Sequence, residues 1–258
     1  MEPKQPASSP PPPQRRRQIC CKCDRPQTVC LCHVIPAAAL PTRTKIIILH
    51  HPHESQHKLN TTPLLAKSLL HVTTVPGRRL LPAHFPNYEN DQSPRAIYLF
   101  PPSPSSPAVT LSNLQSLVPI NREAAPLTLI VFDATWKHAK EMVRASEGVL
   151  RSIGALRVCL DTGFDETIGG GSIYDSELLL RKEPFGGCVS TLEAVARCLR
   201  AVEPDGMEIE RKLIEVLREM VRLQAGFLKP VKPRPKLLKK NQTKEKEKER
   251  EKNESSGF

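Results

Sequence analysis

Residues 127–143, LTLIVFDATWKHAKEMV, contain the transition that decides the fold. The six apolar and β-prone residues 127–132 predict a buried strand, and apolar residues from Trp136 onward recur at helical spacing. Asp133 stands at the junction, where we expect its carboxylate to cap the first turn of the helix and to gain from the helix dipole. In a parallel α/β sheet the same junction lies at the carboxyl end of a strand, where ligands bind. The stretch therefore gives Asp133 two candidate roles, an N-cap and a ligand-site residue.

Three further near-continuous apolar runs predict strands of the same parallel sheet: KIIIL at 45–49, RAIYLF at 95–100 and LRVCL at 156–160. Helices are predicted over 63–71, with Asn60 or Thr61 as the cap, and over 191–202, where Ser190 and Glu193 form a capping box. An amphipathic helix over 208–223 either closes the core or supports a dimer, and the oligomeric state stays open. The pattern indicates the α/β class.

The charge of this chain is concentrated at its two ends. The 258 residues carry a formal net charge of +11 and 26 prolines. Residues 229–252 hold eleven Lys or Arg against four Glu, and the segment 1–19 contains SSPPPPQRRR. We expect 1–19 and 229–258 to be disordered basic arms, because they cannot bury enough apolar surface to fold. Such arms attract a polyanion such as RNA, direct nuclear import or keep the chain soluble.

Five cysteines crowd the sequence CCKCDRPQTVCLC at 20–32. No apolar run is long enough to span a membrane and no secretory signal is visible, so we expect an intracellular chain in the nucleus, the cytoplasm or both. Cysteines in such a chain indicate metal binding rather than disulfides. A C-x2-C-x6-C-x-C spacing predicts a structural zinc knuckle over 20–34, with Cys21 left over, although a Cys21 to Cys23 pair is also feasible. The predicted zinc ligands are Cys20, Cys23, Cys30 and Cys32.

A group of histidines and a run of glycines are two further candidates for functional segments. Four histidines lie between His50 and His57, but no second ligand cluster is visible and Pro52 interrupts helical spacing, so a metal is not predicted there. The glycines at 169–171 permit close approach of a ligand to the backbone, yet the pattern of a phosphate-binding P-loop is absent. A flexible loop is the simpler interpretation of that run.

The motif Asp133-Ala134-Thr135-Trp136 resembles the D-x-T-W signature of the DTW-domain family. Further segments resemble the family in the same order: the cysteine element, H-P-x-E with a following N-T, S-x-Y with a basic pair, and S-T-x-E-A at 190–194. The family is similar to tRNA-uridine aminocarboxypropyltransferases related to the SPOUT enzymes. The resemblance implies a SPOUT-like parallel sheet flanked by helices, with a C-terminal trefoil knot, in a catalytic domain at 35–228.

The resemblance also implies a reaction. The 3-amino-3-carboxypropyl group of S-adenosyl-L-methionine would move to N3 of a tRNA uridine, giving acp3U and methylthioadenosine. Asp133 would abstract or orient the proton, and Thr135 and Trp136 would contact adenine or uracil. The cofactor residues implied are Gly170, Gly171, Ser172, Tyr174, Thr191 and Glu193, and the RNA residues are His51, Glu54, Lys58, Asn60, Arg181 and Lys182. A SPOUT-type RNA methyltransferase and a non-enzymatic zinc-containing RNA-binding module are the alternatives.

Overall fold

The computed structural model describes residues 18–55, 57, 59–85, 96–103, 105–117, 126–160 and 189–227. The strands are β1 (Lys45–His50), β2 (Val72–Pro76), β3 (Ala96–Leu99), β4 (Val109–Thr110), β5 (Thr128–Asp133) and β6 (Leu156–Cys159). The helices are α1 (Thr62–Ser68), α2 (Leu111–Leu117), α3 (Trp136–Ser152), α4 (Thr191–Val202) and α5 (Gly206–Ala225). Short 3-10 helices span Gln27–Val29, Pro52–Glu54 and Pro82–His84. All of these elements belong to the compact unit that ends at Ala225.

The six strands form one parallel sheet in the order β2-β1-β5-β3-β6-β4. This confirms the α/β class, the parallel sheet and all four predicted strands. The sequence did not predict β2 and β4. The outer strand β2 is largely exposed and ends in proline, which an edge position tolerates, and β4 has only two residues.

The central strand β5 is buried on both faces of the sheet. Its successive side chains point to opposite faces, so they contribute to two separate cores. Leu129 and Val131 join a core formed with α1, α2, α4 and α5. Ile130 and Phe132 join a second core on the opposite face, with α3 and the segment after β2. The protein is therefore a three-layer arrangement, and β5 lies in the middle of it.

The helices largely follow their predicted bounds. Helix α4 begins at Thr191 as predicted, and the Ser190 hydroxyl accepts a hydrogen bond from the Glu193 amide at 3.2 Å. Thr61 is the N-cap of α1 but makes no side-chain capping bond, and the Asn60 side chain accepts from the first amide of the helix at 3.0 Å. The apolar face of α5 is buried against the rest of the chain, so this helix closes the core. None of the described helices combines the length and apolar character needed to cross a bilayer.

Two close contacts fix the connection between α4, α5 and the sheet. Glu203, directly after α4, is buried, and its carboxylate accepts from the backbone N–H groups of Arg43 and Thr44 at 3.0 and 2.7 Å. Gly206 opens α5 where a Cβ atom would lie 2.5 Å from the carbonyl oxygen of Arg200. Only glycine fits this approach of the two helices.

Several predictions lie outside the described residues. These are the greater part of both basic arms, the glycine run at 169–171 and the segment between β6 and α4 on which the predicted trefoil knot depends.

Candidate active site at the carboxyl edge of the sheet

The candidate site lies where two central strands end side by side. Strands β1 and β5 pair so that His50 is opposite Asp133, the last residue of each strand. The chain then continues from β1 toward α1, which begins at Thr62, and from β5 toward α3. Helix α4 brings its first residue, Thr191, to the same place. Residues far apart in the sequence therefore meet at one edge of the sheet.

The Asp133 carboxylate is the centre of this site. One oxygen, Oδ2, accepts hydrogen bonds from His50 Nδ1 at 2.7 Å and from the Thr62 hydroxyl at 2.6 Å. The other, Oδ1, accepts from the Thr191 hydroxyl at 2.5 Å. Burial alone would raise the pKa of Asp133, but the hydrogen bonds from His50, Thr191 and Thr62 outweigh it and hold the pKa below its ordinary value of 3.8. Asp133 is therefore an ionised, fully engaged carboxylate.

These contacts correct the expected capping role of Asp133. Helix α3 begins at Trp136 with Thr135 as its N-cap, and Thr135 makes no side-chain capping hydrogen bond. Asp133 is still part of the strand, and its carboxylate is directed to α1, α4 and β1. The prediction was wrong because the change from strand to helix spacing in the sequence locates the start of a helix only to within about two residues. The identity of the N-cap depends on the backbone conformation of one particular residue, here Thr135.

The other two residues of the motif lie at the start of α3. The Thr135 hydroxyl is 3.1 Å from Nδ1 of His138. Trp136 is half-buried, and its ring lies 6.1 Å from that of Phe100 at an interplanar angle of 58°. Phe100, just beyond β3, is in turn covered by the Arg157 guanidinium at 5.1 Å. The indole thus belongs to a small aromatic group beside the Asp133 site.

Sequence reasoning missed two histidines. His50 is buried and donates to Asp133, a position that the register of two neighbouring strand ends would have indicated. His138 lies 87 residues beyond His51 and 85 beyond His53, yet its ring stacks on His51 with centroids 4.2 Å apart and planes at 9°. One ring nitrogen from each of His51, His53 and His138 lies within 4.8 Å of the other two. No pattern in the local sequence predicts that convergence.

The predicted RNA and cofactor residues are only partly brought together. His51 is buried beside the site, Glu54 ends a 3-10 helix, and the Asn60 side chain accepts from the first amide of α1. On the cofactor side, Thr191 contacts Asp133, and the buried Glu193 forms an ion pair with Arg197 at 2.6 Å. The remaining predicted residues lie outside the described part of the chain: Lys58, Gly170, Gly171, Ser172, Tyr174, Arg181 and Lys182.

The four predicted zinc ligands converge near the N-terminus. Cys20 and Cys32 have their sulfur atoms 3.5 Å apart, Cys23 and Cys30 have theirs 3.7 Å apart, and all four lie within 4.8 Å of one another. A tetrahedral zinc site with Zn–S bonds of about 2.3 Å separates its sulfurs by about 3.8 Å, so the cluster fits zinc. Cys21 is exposed and outside the cluster.

The cysteine knuckle, residues 20–34, is attached to two helices. The Lys67 ammonium of α1 contacts the Asp24 carboxylate and the Lys22 carbonyl oxygen, each at 2.8 Å. His33 lies 2.9 Å from Glu219 of α5. Hydrogen bonds from Arg222 and then from His33 lower the pKa of Glu219 to about 2. Both contacts keep the knuckle in a fixed place against the α1 and α5 side of the protein.

A parallel sheet with a polar cluster at its carboxyl edge is the arrangement of an α/β ligand-binding or catalytic protein. The family model of the DTW domain matches residues 17–225, which include the cysteine knuckle and every described strand and helix. The chain belongs to the DTW domain family.

Three similar proteins carry closely related names. The chain is 69% identical over 229 residues to tRNA-uridine aminocarboxypropyltransferase A of Arabidopsis thaliana, covering 86% of this chain and 87% of that protein. It is 30% identical to tRNA-uridine aminocarboxypropyltransferase 2 of Drosophila melanogaster, covering 80% and 74%. It is 28% identical to the protein of that name from Macaca fascicularis, covering 80% and 63%. No solved structure matches the chain significantly.

Proposed function

We propose that the chain transfers the 3-amino-3-carboxypropyl group of S-adenosyl-L-methionine to N3 of a uridine in tRNA, forming acp3U and methylthioadenosine. Membership of the DTW domain family and the names of the relatives support this reaction. One structural observation carries the proposal to a site: the Asp133 carboxylate, at the carboxyl edge of the sheet, is held by His50, Thr62 and Thr191. Proton transfer at uridine N3 needs a positioned acceptor, and the carboxylate holds one, the His50 ring, in a fixed place.

When bound, S-adenosyl-L-methionine supplies the transferred group and a sulfonium leaving group. The hydrogen bond from Thr191 to Asp133 ties the start of α4 to the reaction site, which supports placing the cofactor beside Thr191 and Glu193. The loop before α4 would complete the binding site for S-adenosyl-L-methionine. The trefoil knot that the SPOUT relationship implies would lie in the same segment. The loop residues in this proposal are Gly170, Gly171, Ser172 and Tyr174.

Uridine N3 carries a proton and is a weak nucleophile until that proton is removed. Asp133 is poorly suited to remove it directly, because both carboxylate oxygens already accept hydrogen bonds and its pKa is lowered. His50 is better placed: an ionised Asp133 fixes the proton on Nδ1 and leaves Nε2 as the acceptor. In this scheme N3 loses its proton to His50 and forms the N3–C bond. The C–S bond breaks, and its electron pair leaves on sulfur.

The other predicted roles follow from this arrangement. Trp136, beside Phe100, offers a ring face for adenine or uracil, and Thr135 a hydroxyl. RNA contacts are proposed for His51, Glu54, Lys58, Asn60, Arg181 and Lys182, and for the basic arms. The cysteine knuckle holds a structural zinc ion, because four protein thiolates leave no open coordination position. A tRNA substrate agrees with an intracellular location, in the nucleus or the cytoplasm.

The reaction class is tested with two labelled forms of S-adenosyl-L-methionine and a tRNA transcript. The full chain should transfer label from the carboxypropyl portion and not from the methyl group, and mass spectrometry of the digested tRNA should show acp3U. Label arriving from the methyl group would make the protein a methyltransferase. Binding of tRNA without either transfer would favour the zinc-containing binding module.

The proton acceptor is tested with His50→Gln, measured as single-turnover transfer at saturating tRNA. We expect the rate to fall by about 10²- to 10⁴-fold, the usual contribution of a general base, with little change in tRNA affinity. His71→Gln is the matched control, because His71 precedes β2 at the amino edge of the sheet and its ring contacts the backbone carbonyl of Thr42. An unchanged rate in His50→Gln would remove His50 from the reaction.

A further inference from the structure

Three imidazoles beside the Asp133 site form a cluster that the transfer reaction does not use. His51 follows β1 and is 3% exposed, His53 lies on the exposed 3-10 helix, and His138 lies in the first turn of α3. The His51 and His53 rings meet edge to face at 4.8 Å, and His51 stacks on His138. One nitrogen of each ring lies within 4.8 Å of the other two, so one small ligand can contact all three rings.

The geometry disfavours a metal ion as that ligand. A metal binds imidazole nitrogen in the plane of the ring at about 2.0–2.1 Å. The His51 and His138 rings are parallel with centroids 4.2 Å apart, so one ion cannot lie in both planes. In addition, Nδ1 of His51 accepts a hydrogen bond from the His53 amide at 3.3 Å, which leaves the proton of a neutral ring on Nε2. That nitrogen is a donor and suits an anion.

The charges around the cluster also favour an anion. Burial lowers the pKa of His51, and the neighbouring His138, His53 and Arg78 lower it further, while Glu54 alone opposes them. His138 additionally lies at the positive end of α3, whose N-cap Thr135 makes no side-chain capping bond. An anion placed among the three rings would remove this repulsion and accept their N–H groups.

The surface that continues from the cluster indicates which anion fits. Further exposed cations lie on α3 and on the segment after β2, namely Arg78, Arg79, Lys137, Lys140 and Arg144. Within the described residues none of these five forms an ion pair. The acidic groups on the same helix are Glu141 and Glu147, and Glu147 pairs with Arg151. A row of cations matches a chain of phosphates, whereas a single carboxylate would not need it.

We propose that His51, His53 and His138 bind a phosphate group of the tRNA backbone next to the target nucleotide. The inference rests on the proposed function for its RNA substrate. Because a phosphate stabilises the positive charge of a protonated imidazole that donates to it, binding of the phosphate is coupled to proton uptake by the cluster. Affinity for tRNA is therefore highest in mild acid and decreases as the pH rises.

The test measures binding of an unmodified tRNA transcript to the full chain at pH 6 and pH 8, at fixed ionic strength and without S-adenosyl-L-methionine. The double variant His53→Gln/His138→Gln should bind about tenfold more weakly than the wild type at pH 6 and nearly equally at pH 8. The slope of log affinity against log salt at pH 6 should decrease by about 0.7–0.9 for the loss of one phosphate contact. His71→Gln should behave as the wild type.

The outcomes separate this proposal from its competitors. An unchanged pH dependence in the double variant, or in His53→Gln alone, which alters only an exposed ring, overturns the proposal. Loss of a bound metal from the double variant, measured by plasma mass spectrometry, would show a metal site instead. Weaker S-adenosyl-L-methionine binding with unchanged tRNA binding would show that the three histidines bind the carboxylate of S-adenosyl-L-methionine instead. If the wild type forms no acp3U but keeps the pH-dependent binding, the proposed function fails while the phosphate site stands.

Discussion

Replacing Asp133 by asparagine removes the charge at the centre of the site with little change of shape. The three donors, His50 Nδ1 and the hydroxyls of Thr62 and Thr191, lie 2.5–2.7 Å from the carboxylate. The amide oxygen can still accept from two of them, and the third, a hydroxyl, can reverse to accept. Each bond then loses about 1 kcal/mol as it becomes neutral, partly offset by the lower cost of burying an amide. We expect a net loss of about 2 kcal/mol in the free energy of unfolding.

Thermal melting of the full chain measures this loss. About 2 kcal/mol corresponds to a decrease in Tm of about 4–8 °C for a domain of this size. Because the pKa of Asp133 is lowered in the folded state, its stabilising effect is present above the ordinary value of 3.8 and is lost as the pH falls through the folded-state pKa. The difference in Tm between wild type and variant should therefore persist from pH 8 to pH 5 and narrow below pH 4.

Activity provides the second measurement on the same variant. The neutral amide oxygen still accepts from Nδ1 of His50, but it no longer stabilises the positive charge that His50 gains when it takes the N3 proton. We therefore expect transfer to fall by about 10²- to 10⁴-fold at saturating substrates. Asp205→Asn, at an exposed aspartate before α5, is the matched control and should change neither Tm nor rate. Full activity in Asp133→Asn would refute the role of the Asp133–His50 pair, and an unchanged Tm would refute the energetic role of the three hydrogen bonds.

Four further substitutions probe other parts of the chain. Cys23→Ser should abolish zinc binding and lower Tm, whereas Cys21→Ser, at an exposed position outside the cluster, should do neither; plasma mass spectrometry and melting decide. Gly206→Ala should destabilise the protein by about 2–4 kcal/mol in urea unfolding, because its Cβ would overlap the backbone of α4. Gly148→Ala should stabilise α3 by about 0.5–1 kcal/mol, because within the described residues a Cβ at this position would meet no atom outside the local helix backbone within 4 Å. Glu203→Gln should cost about 1–2 kcal/mol, and a neutral result would show that its two backbone hydrogen bonds contribute little.

The sequence predicted the buried strands and long helices because their apolar patterns are direct records of burial. Thus β1 and β5 were recognisable as near-continuous apolar runs, and α4 from its Ser190 cap. The strand β2 was missed because an exposed edge strand carries little of that pattern. The cysteine cluster was predicted because its ligands lie close together in the sequence.

The candidate site was predictable only in part. Asp133 was identified by its position after a buried strand, but its partners come from three distant segments. His50 became visible once the register of β1 against β5 was known, and His138 only once α3 was placed on the sheet. The spacing of apolar residues along the chain indicates where helices and strands occur. The contacts of the site depend instead on the order of the strands in the sheet and on where the helices pack.

Helix α1 connects the cysteine knuckle to the Asp133 site. Its first residue, Thr62, donates to the Asp133 carboxylate, and near its other end Lys67 holds Asp24 of the cysteine knuckle. Seven helical residues span only about 10 Å, so the two sites share one short rigid element. Oxidation of the thiols, or loss of a metal bound to them, would weaken the contacts of Lys67 at one end of α1, whereas the buried Leu64 and Leu65 would still hold the helix in the core.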